Sequence, residues 1–437
     1  MKLSALNPPQ VVISLFISII LIGTLLLCLP ISSTEGISVI DALFTATSAM
    51  TVTGLVVVDT GTAFTLFGQM IILILIQLGG IGIMTFAVLI YIAVGKKIGI
   101  KQRLLLKQAL NQSAIGGVVS LAKKLFLFSL LVELIAVFFL ASKWIPEMGW
   151  GQGIYASIFH AVSAFNNAGF SIWSDSLSGY VDDPFVNIII SVLFIIGGIG
   201  FTVVFDLWKS KEFNHLSLQT KVMVVGTLAI NVFSFLMIFF LEFNNPQTLA
   251  NLSNFGKIQA AYFQAVTPRT AGFNTLDIGQ MEESSLFFII TLMFIGGGSA
   301  STAGGVKLTT VLTILLATLF FFKGKEHIVI FNRSITMHIV LKALSLTIGS
   351  ACVVIITIFI LELTEDAPFL TIVFESISAF GTVGLSMGLT GSLTLVGKIT
   401  IILTMLIGKL GPLTFAFAFA KQTSDLVKYP KEDILTG

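Results

Sequence analysis

The chain has 437 residues, of which 55% are hydrophobic and only 11% charged, and this balance excludes a soluble globular protein. Its small net charge of +2 comes from Lys and Arg in short clusters, which argues against nucleic acid as a partner. Cys28 and Cys352 lie within apolar runs, so no disulfide framework is expected.

Eight apolar stretches are long enough to cross the hydrocarbon core of a bilayer, which is about 30 Å thick. In chain order they cover residues 11–30, 66–94, 122–142, 185–208, 219–241, 286–322, 337–361 and 395–420. The first follows Lys2 but has no small-residue cleavage site, so we interpret it as a helix and not as a signal peptide.

The eight stretches form four pairs, and each pair encloses a shorter apolar segment of about 12 residues. Such a segment is too short to span the membrane and is predicted to enter it and turn back. Residues 95–124 contain seven Lys or Arg and no acidic residue, whereas 32–64 contain three acidic residues and no basic one. The positive-inside rule therefore places 95–124 and both termini in the cytoplasm, with the short segments entering from outside.

A glycine motif recurs once in each short segment. The copies are residues 48–55 (SAMTVTGL), 163–170 (SAFNNAGF), 266–273 (VTPRTAGF) and 378–385 (SAFGTVGL). Their glycines, Gly54, Gly169, Gly272 and Gly384, are separated by 115, 103 and 112 residues, close to a quarter of the chain. We therefore predict four tandem units, at residues 1–100, 101–212, 213–330 and 331–437.

Four non-helical glycine loops at membrane depth predict one shared aqueous cavity, because backbone in lipid must otherwise satisfy its hydrogen bonds internally. Each short helix would aim its partially negative C-terminus at that cavity and favour a cation there. Loop carbonyls can replace part of the hydration shell of an ion, and glycine permits the positive φ that turns them inward. The expected fold is an all-α polytopic membrane protein with eight transmembrane helices and four re-entrant loops around one pore.

The repeated motif resembles the Trk/Ktr/HKT superfamily of potassium transporters over essentially the whole chain, and the eight-span length is most similar to its KtrB branch. The resemblance implies potassium-selective uptake without a chemical step, since glycine in all four loops goes with potassium preference in that superfamily. It also implies a selectivity filter whose K⁺ ligands are the backbone carbonyls of Thr53, Ala168, Ala271 and Val383. The complete implied filter is Thr51, Val52, Thr53, Gly54, Asn166, Asn167, Ala168, Gly169, Arg269, Thr270, Ala271, Gly272, Gly381, Thr382, Val383 and Gly384.

Residues 296–305 contain five glycines in ten residues, which predicts a break in the second helix of the third unit. The resemblance implies that this break is an intramembrane gate held by Lys409. The implied gate residues are Gly296, Gly297, Gly298, Ser299, Ala300, Ser301, Thr302, Ala303, Gly304 and Gly305. The related glycine clusters at 79–82, 197–200 and 408–411 predict close helix packing instead.

The resemblance further implies a homodimer in the bacterial plasma membrane, regulated by a cytoplasmic ring of nucleotide-binding KtrA-type subunits. The resemblance implies K⁺ as the bound ion and Na⁺ as a candidate activator. No nucleotide-binding motif lies outside the membrane spans, so nucleotide is expected to bind the partner and not this chain. The 95–124 connection and the 421–437 tail are the expected docking surfaces.

Two other functions remain as alternatives: a sodium-permeable or Na⁺-coupled carrier of the same fold, and a serine hydrolase. The hydrolase rests on residues 384–388 (GLSMG), which match G-x-S-x-G. That motif needs a histidine base, and only His160 is expected on the same membrane face.

Four polar residues near the loops carry their own expectations. Glu133 should pair with a polar neighbour or lie at a dimer interface. Arg269 should brace its loop through backbone carbonyls. His160 and Glu375 either support the filter from behind or are satisfied core polar groups, and the sequence leaves this open.

Overall fold

The computed structural model describes residues 8–82, 85, 118–210, 212–325 and 327–419, most of them helical. The 421–437 tail lies outside the described residues, as does the 95–124 connection up to residue 117. The prediction that a regulator docks on these two segments therefore stays a prediction.

Each unit begins with a helix long and apolar enough to cross a membrane. These first helices are Pro8–Leu27, Val118–Met148, Leu218–Glu242 and Met337–Thr364. In their most apolar windows only 17–33% of the residues are buried, so most of the apolar side chains face outward. An apolar exposed surface of this kind is stable against lipid but not against water.

The short helices lie inside this outer layer and each ends at a glycine loop. They are Val39–Thr51, Trp150–Phe165, Asn254–Val266 and Phe369–Gly381. Two of them begin at a serine N-cap, where Ser38 accepts a hydrogen bond from the Asp41 amide and Ser253 accepts one from the Gly256 amide. Unlike the first helices, they are mostly buried, so protein rather than lipid surrounds them.

The second helices complete the units and pack closely on the short helices. They run over Leu66–Ile81, Pro184–Ile199 with Phe201–Lys209, Glu283–Phe294 with Leu308–Phe322, and Leu395–Leu410 with Pro412–Phe419. A Cβ added at Gly79, Gly197 or Gly408 would collide with a carbonyl oxygen at the end of the short helix of the same unit. Close packing at the glycine clusters is therefore confirmed.

The prediction of continuous second helices is wrong in the second and fourth units. The chain bends by 95° between Ile199 and Phe201 and by 92° between Leu410 and Pro412. Gly200 and Gly411 stand at these bends with φ of 106° and 84°, and a positive φ cannot continue a right-handed helix. The predicted break in the third unit is confirmed, because residues 295–307 separate two helices.

Smaller elements connect the units. Strands Ile328–Ile330 and Arg333–Ile335 form an antiparallel hairpin before the fourth unit. A four-residue helix, Thr60–Ala63, and short 3₁₀ segments at 178–180, 213–215, 278–280 and 390–392 follow the glycine loops or join helices.

The fourth unit packs back on the first. Helix Leu395–Leu410 lies against helix Val39–Thr51, and Lys398 Nζ donates to Asp41 Oδ1 at 2.6 Å. Both side chains are largely buried, with 16% and 19% of their surfaces exposed. The four units therefore close into a ring.

Candidate functional site

The four glycine loops adopt the same backbone conformation. The residue two positions before each glycine has a positive φ: Val52 (55°), Asn167 (57°), Thr270 (72°) and Thr382 (48°). The glycines themselves follow with φ of 92°, 67°, 76° and 93°. Non-glycine residues rarely adopt such angles, so their recurrence in all four loops marks a shared conformational requirement.

The loops meet one another in a closed ring. A Cβ added to any of the four glycines would lie too close to the carbonyl oxygen that precedes the glycine of the adjacent loop. The pairs are Gly54 with Ala168, Gly169 with Ala271, Gly272 with Val383, and Gly384 with Thr53. These four oxygens are the ones that the family resemblance implies as K⁺ ligands, and they lie where four loops converge.

Hydroxyl groups tie each loop to the end of its short helix. The bonds run from the Gly54 amide to Ser48 Oγ (3.1 Å), from the Gly384 amide to Ser378 Oγ (3.2 Å), from Ser163 Oγ to the Phe170 carbonyl (2.7 Å) and from Thr267 Oγ1 to the Phe273 carbonyl (2.5 Å). Sequence reasoning missed this role, although each copy of the motif contains the hydroxyl. The bonds hold the strained loops at fixed positions.

The remaining predicted filter residues lie at the ends of the short helices. Thr51 and Gly381 are the last residues of two of them, and Thr51 Oγ1 lies 2.7 Å from Thr53 Oγ1. Asn166 caps a third, but its side chain points to helix Leu66–Ile81, where Nδ2 donates to Gln77 Oε1 at 2.6 Å. Its amide group therefore supports the ring from behind.

Glu133 belongs to the same supporting network. Its buried carboxylate accepts hydrogen bonds from Gln77 Nε2 at 3.0 Å and from Asn166 Nδ2 at 3.3 Å. Of the two roles predicted for Glu133, the structure shows pairing with polar neighbours of the same chain. The network joins the first helix of the second unit to the second glycine loop.

His160 and Glu375 occupy equivalent positions, nine residues before the loop glycine of their units. His160 Nε2 lies 3.0 Å from Ser171 Oγ, and Ser386 Oγ donates to Glu375 Oε1. Each serine stands two residues after its loop glycine. The two buried side chains thus bond to the segments that follow two of the loop glycines.

The Glu375 contact also argues against a serine hydrolase. The hydroxyl of Ser386 is bonded to a carboxylate, while His160 is bonded to Ser171 in another unit. A nucleophilic serine needs its hydroxyl on a histidine base, and Ser386 has none among the residues described.

Arg269 was expected to brace its loop through backbone carbonyls, and this expectation is wrong. Its Nη1 donates to Asn231 Oδ1 at 3.0 Å, on the first helix of the third unit, and not to loop carbonyls. The side chain is buried and turned away from the ring. Arg269 therefore anchors its loop to helix Leu218–Glu242 and keeps its positive charge away from the carbonyl oxygens.

The 296–305 segment packs directly against the ring. Thr302 Oγ1 donates to Asn167 Oδ1 at 2.8 Å, and a Cβ on Gly304 would collide with the Thr382 side chain. The Gly298 amide donates to the Gly198 carbonyl at 2.7 Å. These contacts place the segment against Asn167 of the second loop and Thr382 of the fourth.

Two lysines hold this segment through its carbonyl oxygens. Lys409 Nζ donates to the Thr302 carbonyl at 2.5 Å, so the contact predicted between Lys409 and the segment is observed. Lys307 Nζ donates to the Ala303 carbonyl at 2.6 Å. Sequence reasoning missed Lys307, which lies two residues beyond the predicted break, because nothing in the local pattern shows that its side chain folds back.

The chain is similar to known proteins over nearly its whole length. A model of the TrkH family, described as cation transport proteins, matches residues 1–428. The chain is 56% identical to the Ktr system potassium uptake protein B of Bacillus subtilis (99% of this chain, 97% of the relative). It is 42% identical to the protein of the same name from Vibrio alginolyticus (98% and 95%).

A solved structure shares the fold. The crystal structure of the potassium transporter TrkH from Vibrio parahaemolyticus superposes with a TM-score of 0.76 at 22% identity, covering 96% of this chain and 86% of that one. The family and the relatives are ion transporters, so the chain is a membrane transport protein and not an enzyme.

Proposed function

The chain belongs to the TrkH family of cation transport proteins, and on this premise we propose that it is the potassium-selective, ion-conducting subunit of a bacterial potassium-uptake system. The observation that carries the proposal is the closed ring in which each loop glycine adjoins the carbonyl oxygen of the next loop. The relatives named potassium uptake proteins support the choice of ion.

The ring suits an ion that sheds water. Four short helices end at it, so their partially negative C-termini and the carbonyls of Thr53, Ala168, Ala271 and Val383 favour a cation. Carbonyl oxygens replace the hydration shell without a chemical step. The hydroxyl bonds from the short helices hold the oxygens in place, which supports discrimination between K⁺ and Na⁺.

The 296–305 segment is the gate in this proposal. It packs against the ring through Thr302 and Gly304, and hydrogen bonds and close glycine contacts hold it there. Its glycines have low conformational barriers, so the segment can move without unfolding a helix. Release of Lys307 and Lys409 from its carbonyls accompanies opening.

The charge distribution and the names of the relatives support a membrane orientation and a partner for this chain. Both termini and the basic 95–124 connection face the cytoplasm of the bacterial plasma membrane, as the positive-inside rule requires. The relatives carry the name of a Ktr system, which supports a partner: a cytoplasmic ring of KtrA-type nucleotide-binding subunits beneath a homodimer of this chain. Na⁺ is an activator and not the main permeating ion.

Replacing Gly54 by Ser tests the filter. The added side chain enters the space next to the Ala168 carbonyl, so the four-oxygen ring loses its geometry. In vesicles containing the purified chain, we expect the ratio of K⁺ to Na⁺ flux to fall at least tenfold. Gly151→Ser is the matched control, because nothing lies within 4 Å of a Cβ at Gly151.

An unchanged flux ratio in Gly54→Ser would refute the filter. Equal K⁺ and Na⁺ flux through the unmodified chain would instead favour the sodium-permeable carrier.

A further inference from the structure

A small cavity lies between the third glycine loop and the first helix of the third unit, Leu218–Glu242. Its volume is about 20 Å³. Apolar side chains from the second helix of the second unit form part of its wall, and the polar side chains that line it are Thr227, Asn231 and Arg269. A cavity of roughly 10–15 Å³ or more can hold a water, so this one has room for a single water molecule.

Two buried polar atoms belong to residues that line this cavity. Arg269 and Thr227 are 9% and 7% exposed, and neither Arg269 Nε nor Thr227 Oγ1 has a hydrogen-bond partner among the described residues. A donor or a hydroxyl that is buried without a partner destabilises a protein. One water molecule satisfies both groups, because it accepts a hydrogen bond from Nε and donates one to Oγ1.

The size and charge of the cavity select water over other occupants. The guanidinium group of Arg269 repels a cation, and about 20 Å³ is too small for a phosphate group or a lipid head group. A bridging water makes hydrogen bonds that are nearly as favourable as a direct contact. The cavity is therefore suited to a water that joins the third loop to the helix behind it.

Such a water would hold the guanidinium group at a second point. Arg269 Nη1 already donates to Asn231 Oδ1 at 3.0 Å. Thr227 lies four residues before Asn231 in the same helix, so the two side chains lie on one face. Arg269 stands two residues before Ala271, whose carbonyl oxygen adjoins Gly169. The orientation of the guanidinium group therefore bears on one of the four oxygens of the ring.

We propose that Thr227 and Arg269 bind one ordered water, and that this water and Asn231 together position the third loop for potassium selectivity. Thr227 and Asn231 act through Arg269 and not on the ion, so they are positioning residues. Binding of the water rests on the cavity alone, whereas the effect on selectivity rests on the proposed function as well.

A structure of the purified full-length chain, at a resolution that shows buried waters, tests the binding. We expect a solvent peak between Arg269 and Thr227 in the unmodified chain and in Thr227→Ser, and no peak in Thr227→Val. The peak should remain when gluconate replaces chloride, because the bound group is water and not a halide ion. A map that shows other buried waters but no peak here, or a peak lost in gluconate, would overturn the proposed site.

The ratio of K⁺ to Na⁺ flux in vesicles tests the positioning role. Thr227→Val and Asn231→Leu should lower this ratio about three- to tenfold, the factor that corresponds to one hydrogen bond. Thr227→Ser and Asn231→Asp keep a hydrogen-bonding oxygen and should retain the ratio.

Thr24→Val is the matched control, because Thr24 is also buried on a first helix and its hydroxyl donates to the Ile20 carbonyl of that helix. This variant should leave the flux ratio unchanged. Equal ratios in Thr227→Val and Thr227→Ser would overturn the positioning role. Failure of the filter itself is recognised separately, by an unchanged ratio in Gly54→Ser, and would not remove the solvent peak.

Discussion

Val52 shows the strain that single residues bear in the ring. It is β-branched and has φ of 55°, a conformation that costs such a residue about 1–3 kcal/mol. The neighbouring amide of Thr53 donates to the Ser48 carbonyl at 2.8 Å, which holds the turn. The strained residue adjoins Thr53, whose carbonyl faces the next loop. The hydrogen-bonded turn therefore keeps that carbonyl pointing toward the next loop.

Glu133→Ala should destabilise the chain, because it removes the carboxylate to which Gln77 Nε2 donates; Asn166 Nδ2 keeps its bond to Gln77 Oε1. A buried donor left unpaired costs about 1–3 kcal/mol. The measurement is thermal unfolding in detergent, together with the ratio of K⁺ to Na⁺ flux.

Ser142→Ala on the same helix is the control, since Ser142 is exposed and its hydroxyl donates to the Phe139 carbonyl of its own helix. A double-mutant cycle of Glu133→Ala with Gln77→Ala should give a coupling energy of about 0.5–3 kcal/mol. Strict additivity would show that the network does not act as a unit.

At the scale of elements, each second helix is interrupted at a glycine-containing position. Gly82, Gly200 and Gly411 each end a helix with φ near or above 84°, and the third unit replaces the single glycine by the 296–305 segment. Gly82 and Gly411 line a larger cavity, of about 420 Å³, beside the 296–305 segment. One repeated helix thus provides both the packing surface for the short helix and part of the wall of this larger cavity.

Gly200→Ala should lower stability by about 1–3 kcal/mol, because alanine cannot adopt φ of 106° without strain. Gly349→Ala is the matched control: Gly349 is helical, and a Cβ there would make an ordinary contact at 3.6 Å with Pro412. That change should be neutral or stabilising by up to about 1 kcal/mol. Equal unfolding temperatures for the two variants would contradict the bend.

Thr302→Val should loosen the 296–305 segment from the ring, since it removes the hydroxyl that bonds to Asn167. Loss of one hydrogen bond of about 1 kcal/mol shifts a two-state equilibrium about fivefold. We expect a several-fold rise in potassium flux through vesicles. Thr313→Val is the control, since the Thr313 hydroxyl donates to the Thr309 carbonyl of its own helix, and it should leave flux unchanged. A rise in both variants, or in neither, would argue against gating.

The whole molecule depends on closure of four units that follow one another in the chain. Asp41 and Lys398 are 357 residues apart and meet at 2.6 Å, where the fourth unit returns to the first. Without this return the ring of carbonyls would have an open side. Because the pair is largely buried, removing one partner would leave an uncompensated charge at the contact between the first and fourth units.

Lys398→Met should destabilise the chain by about 1.5–3 kcal/mol, the usual range for a hydrogen bond to a charged group. Asp41→Asn should act similarly, and the double variant should be less destabilised than the sum of the two. Unfolding temperatures of the four proteins give the coupling energy. Zero coupling would mean that packing alone closes the ring.

Much of the site could be predicted because its determinants are local. A loop glycine needs positive φ, a segment of about 12 residues cannot span a bilayer, and five glycines in ten residues cannot form a stable helix. The positions of Gly54 and its three counterparts, the unit count and the break at 296–305 all follow from such rules.

The partners of the buried polar groups were decided by tertiary packing alone. Arg269 reaches Asn231, Glu133 reaches Asn166, and Lys307 folds back onto the Ala303 carbonyl, and none of these choices is visible in local pattern. The bend at Gly200 likewise depends on neighbours, because an isolated glycine can also continue a helix. Sequence alone determined the positions of the four loop glycines and the break at 296–305, because these follow from local backbone rules. The fold determined the bends at Gly200 and Gly411 and the distant partner of each buried donor or acceptor, because only packing sets distances between units.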